Sequence, residues 1–111
     1  MKLWMALSLV AFAGAAIAGP ISKFDGRRPT ATFTSASKLE DVERCLIDLD
    51  HLMIPVSYRQ PDRPDRATII WGNGQGVTVW RVDLTRTNSG TLVKAWLDAD
   101  RVKSCAAPSA G

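Results

Sequence analysis

Residues 3–17 form an apolar run broken only by Ser8 and Gly14, and Met1-Lys2 gives it a short positive start. Ala16-Ile17-Ala18 then sets small side chains at the −3 and −1 positions of a signal-peptidase site, with Gly19-Pro20 after it. A membrane-spanning helix needs about 20 predominantly apolar residues, and Pro20 and Ser22-Lys23 arrive too early for one. The pattern predicts an export signal over residues 1–18, cleavage after Ala18, a periplasmic or extracellular destination and no stable membrane anchor. Removing 18 of 111 residues leaves 93 to fold. A domain of that size buries only about 60–68% of the surface its unfolded chain exposes, so it has one small core and no room for a multidomain enzyme.

Export also interprets the cysteines. Cys45 and Cys105 both survive processing, and an even count in an oxidising compartment predicts one disulfide. The loop so closed, about 60 residues, stabilises the fold by about 4 kcal/mol on the chain-entropy model. A redox or nucleophilic Cys45 is the rival reading, but no C-x-x-C spacing accompanies it. Lys2 leaves with the signal, which brings the formal charge from +3 to +2. The basic residues, Arg27-Arg28 among them, are interspersed with acids, and no clustered stripe or readable motif points to nucleic acid.

In the mature chain, residues 19–33 hold Pro20, Gly26 and Pro29 with no period of either kind, and predict an extended or mobile arm. Ser37 and Glu40 have the spacing of a capping box. Leu39, Val42, Leu46, Leu49 and Met53 follow at intervals of three and four, which predicts an amphipathic helix over residues 38–52 ending before Pro55. Strand-like runs occupy residues 56–58, 67–71, 77–85 and 91–97, separated by a polar loop over residues 60–66 and by two glycine-bearing turns. A brief helical turn leads to Cys105, and residues 106–111 are expected to form a disordered tail.

The expected fold is therefore α+β, a single domain over residues 34–105. One N-terminal amphipathic helix packs on a three- to four-stranded antiparallel meander, with a short C-terminal helical turn and one disulfide. The first hairpin is expected to pair Ile69 with Val79. Ile69, Trp71, Val77 and Val79 then share one face, while Ile70, Trp80, Val82 and Leu84 share the other.

No catalytic constellation stands out. Gly72, Gly74 and Gly76 lead into a strand rather than a helix, so they make a hairpin connection and not a phosphate loop. His51, the single histidine, has Asp48 and Asp50 nearby, but the end of a helix explains it through the dipole. It shows no ligand spacing with the cysteines, so neither a metal nor another cofactor is expected. Asp83, Asp98 and Asp100 suit ion pairing and capping.

Two surface features remain. One helix covers one sheet face, so an apolar second face with Trp80, Val82, Leu84 and Trp96 is the leading candidate binding surface, unless the arm with Phe24 and Phe33 covers it. Pro61-Asp62-Arg63 and Pro64-Asp65-Arg66 repeat in tandem, and Arg63 and Arg66 are candidates for gripping a partner. The expected role is a small exported, non-catalytic binding domain acting on a protein partner, on itself or on a small apolar ligand. The alternatives are a small hydrolase or redox protein using His51 or Cys45, and a secreted inhibitor or effector working through residues 61–66.

Overall fold

A computed structural model describes residues 19–49 and 53–109. Five strands, β1 (Ala31–Ser35), β2 (Ile54–Gln60), β3 (Arg63–Gly72), β4 (Thr78–Thr87) and β5 (Gly90–Trp96), form one antiparallel sheet. Two short helices, α1 (Leu39–Ile47) and α2 (Ala99–Cys105), follow β1 and β5 respectively. The sheet order is β1-β5-β4-β3-β2.

This overturns the expected architecture of an N-terminal helix on a three- to four-stranded meander. A strand precedes the helix and adds a fifth member to the sheet, next to β5. Residues 31–33, the end of the expected extended or mobile arm, belong to that strand. Its inward positions are Ala31, Phe33 and Ser35, opposite Ala95, Val93 and Thr91. Only Phe33 of the three is large and apolar, so the alternation that marks a strand is faint. Pairing with β5 supplies what the local pattern lacks.

The helix is also shorter than its apolar stripe. α1 stops at Ile47, while Leu49 and Met53 still reach the core from outside it. Asp50, His51 and Leu52 lie outside the described residues. The capping box does not form: Lys38 holds the N-cap position without a side-chain bond. Ser37 is tied to the sheet instead, its carbonyl accepting from Thr91 Oγ1 at 2.8 Å. Glu40 reaches across to Arg86 of β4, at 3.1 and 2.5 Å.

Residues 60–66 are not a polar loop. Gln60 pairs with Arg63 around Pro61-Asp62, which makes the region a β-hairpin. Pro64 is tolerated in β3 because pairing with β4 begins only at Arg66, opposite Thr85.

Direct cross-strand partners share a face. The inner face therefore carries Ala67, Ile69 and Trp71 of β3, Trp80, Val82 and Leu84 of β4, and Val93 and Ala95 of β5. Leu39, Val42 and Leu46 of α1, Val102 of α2 and Ala106 cover it, all fully buried. The expected disordered tail over residues 106–111 is overturned as far as residue 109, because Ser109 N–H donates to the Thr34 carbonyl at 2.7 Å and holds the chain against β1. Cys45 and Cys105 form a disulfide with Cα atoms 5.5 Å apart, which joins the two helices over this core. Among the described residues, no helix is long and apolar enough to cross a membrane.

Candidate binding face

The helices leave the other face of the sheet uncovered. The register arranges it in rows across the strands. One row holds Val56, Ile70, Arg81 and Trp96; the next holds Tyr58, Thr68, Asp83, Lys94 and Thr32; a third holds Arg66, Thr85, Leu92 and Thr34.

The N-terminal segment covers the first row at Arg81 and Trp96 and leaves Val56 exposed. Phe24, in a 3₁₀ turn at Ser22–Phe24, is 2% exposed and packs 6.1 Å from the Trp96 ring. Trp96 Nε1 donates to the Arg27 carbonyl at 3.0 Å, and Lys23 Nζ donates to the Thr78 carbonyl at 2.6 Å. Arg81 is the post to which the segment is tied. Its guanidinium lies 5.0 Å from the centre of the Trp96 ring. It donates to the Ile21 carbonyl at 2.6 Å, to Asp25 at 2.9 Å, and through Nε and Nη2 to both oxygens of Asp83 at 2.8 and 2.7 Å. Burial works against the charge on Arg81, but its hydrogen bonds to the Asp83 and Asp25 carboxylates outweigh it and raise its pKa.

The second and third rows remain open. Their β3, β4 and β5 members, Thr68, Asp83, Lys94, Thr85 and Leu92, line a groove of about 600 Å³ together with Ile21 of the N-terminal segment and Gln60 and Arg63 of the β2–β3 hairpin. Arg66, Lys94 and Tyr58 project around it. Beside it along β2, Ile54, Val56 and Tyr58 alternate onto the same face and are exposed by 56%, 42% and 42%.

The expected Trp80, Val82, Leu84 and Trp96 face does not exist as a unit. Val82 and Leu84 are buried under the helices, and Trp80 is half-buried beside them, edge-on to Trp71 at 6.2 Å. Only Trp96 lies on the outer face. The cause is register: Ile69 pairs with Val82, not with Val79, a slip of three residues. An odd slip exchanges the two faces of one strand relative to its neighbour. The slip comes from the connection, where Asn73 N–H donates to the Val77 carbonyl and the Asn73 side chain accepts from Gln75 and Val77. A bulge between Trp71 and Gly72 adds to it.

Arg63 and Arg66 lie on β3 and line the groove, so part of the tandem repeat adjoins the outer face of the sheet, although that face is not the one the sequence predicts. Cys45 is in the disulfide and offers no thiol. Among the described residues, no group of three His, Cys, Asp or Glu side chains could hold a metal ion. Tyr58 and Lys94 were missed in the sequence. The alternation Ile54, Val56, Tyr58 was a usable signal for the first, while nothing local marks the second.

No protein-family model, curated protein or solved structure matches the chain. What the groove offers chemically is cationic groups beside an aromatic ring and short aliphatic side chains, over a floor of threonine hydroxyls.

Proposed function

We propose that this chain is an exported, non-catalytic binding module whose working surface is the outer face of its sheet between the N-terminal segment and the β2–β3 hairpin. The convergence of Arg63, Arg66, Tyr58 and Lys94 on one open groove carries the reading. Export, with cleavage after Ala18, is supported by the apolar leader and agrees with a disulfide between Cys45 and Cys105, a bond that persists in oxidising compartments. The N-terminal segment, held down by Arg81 and Phe24, gives the groove a fixed wall. The groove is pre-formed, which lowers the ordering cost of binding.

Native mass spectrometry of the gently purified exported protein tests this. The expected species begins at Gly19, has lost two hydrogens to the disulfide, and carries a second copy or an additional bound mass. Tyr58→Asp is expected to remove that added mass while leaving the fold intact, because Tyr58 is exposed. A bare monomer under all gentle conditions, or an added mass indifferent to Tyr58, would reject the reading.

A further inference from the structure

The geometry points to an acidic, extended segment of a partner protein as the occupant of this groove, with carboxylates and apolar side chains interspersed. This rests on the binding-module reading above and specifies its ligand.

The sign of the ligand follows from which charges are already used. Arg59, Arg81 and Arg86 each have a carboxylate partner: Glu43, Asp25 with Asp83, and Glu40. Arg63, Arg66 and Lys94 have no ion pair among the described residues, and all three line the groove. Among the described residues, Asp83 is the only carboxylate lining it. Both its oxygens are engaged by Arg81, and Thr68 Oγ1 donates to one of them at 3.2 Å. The uncompensated charge of the groove is therefore positive, and the matching ligand is anionic.

The class of ligand follows from what lies beside the charge. Exposed Val56 and Tyr58 continue from the cations along the same face, with Ile54 beyond them. A sulfated or phosphorylated polymer has nothing apolar to set against these side chains, whereas a polypeptide with alternating acidic and aliphatic residues has both. The dimensions agree. Tyr58 and Lys94 stand on strands three spacings apart, about 14 Å. An extended chain crosses that in about four residues.

The test uses a fluorescein-labelled decapeptide of alternating Glu and Val, its Lys–Val counterpart, and heparin, with fluorescence anisotropy as the readout. The Glu–Val peptide is expected to bind and the Lys–Val peptide not to. Its affinity is expected to fall at least tenfold in the Arg66→Glu, Lys94→Glu double variant, to fall again as salt rises from about 0.05 to 0.5 M, and to fall several-fold in Val56→Asn. The near-UV circular dichroism of each variant should match the parent, since all three positions are exposed. No binding of the Glu–Val peptide, binding unaffected by charge reversal, or binding of heparin alone would each overturn the inference. If the peptide fails while Tyr58→Asp still strips a bound mass in the native spectrum, only the ligand class is wrong; if both fail, the binding face itself is wrong.

Discussion

The carbonyl oxygen of Ser35 occupies the place where Gly90 would carry a side chain: a Cβ built on Gly90 lies 1.9 Å from it. Gly90 opens β5 directly after the β4–β5 turn, with φ +154°, and β1 ends at Ser35. The obstacle is backbone, so it cannot rotate away.

Gly90→Ala is therefore expected to force β1 from β5 and to destabilise the fold by about 1–3 kcal/mol, in the range of other strained or overpacked substitutions. Urea unfolding of the two proteins measures this. A loss below about 0.5 kcal/mol would mean that β1 does not approach β5 this closely.

The disulfide joins residues 60 apart in sequence and couples both helices to one core. Replacing Cys45 and Cys105 together by Ala is expected to lower stability by about 2–4 kcal/mol. A reductant should lower the thermal midpoint of the parent protein and leave that of the double variant unmoved.

Two glutamates on α1 give a pH dependence with a defined sign. For Glu43, burial alone would raise the pKa, but hydrogen bonds from Arg59 and Ser57 outweigh it and lower the pKa. The Arg86 hydrogen bond holds Glu40 down to about 2. Both pKa values lie below those of the unfolded chain, so their stabilisation is complete above the ordinary glutamate value of about 4.3 and is lost as pH falls through the folded values. The thermal midpoint should decline below about pH 4.3. In Glu43→Gln it should start lower at neutral pH and decline less steeply, the two curves converging in acid. Parallel curves would assign the acid sensitivity elsewhere.

Phe24 anchors the N-terminal segment against Trp96. Phe24→Ala is expected to cost about 2–4 kcal/mol and to expose the Trp96 indole, read as faster acrylamide quenching of tryptophan fluorescence. A Trp96→Phe background should show no such change. If quenching rises equally in both, the released surface is not that of Trp96.

Several local features could be read from the chain alone because they rest on near neighbours. The spacing of Leu39, Val42 and Leu46 identified the buried stripe of α1, and all three are fully buried. The two cysteines identified their own bond. The apolar stripe overstates the length of α1. The stripe continues to Leu49 and Met53, but a residue can reach the core without being helical, and apolar spacing does not separate the two cases. The prolines and charges of the tandem repeat mark it as a loop. Gln60 and Arg63 pair across it all the same, since a strand with no neighbour on one side loses little by containing proline.

Short-range chemistry along the chain determined which residues are apolar, where a helix stripe runs, and which side chains can bond covalently. Tertiary structure alone decided which residues share a face. The side-chain period of a strand is two, so the register set by the Asn73 turn and the Trp71–Gly72 bulge sent Val82 and Leu84 beneath the helices. Trp96 went to the opposite face, which also received Tyr58, Arg66 and Lys94 from three different strands. No local pattern holds that information, because each of those pairings joins residues whose proximity exists only once the whole sheet has formed.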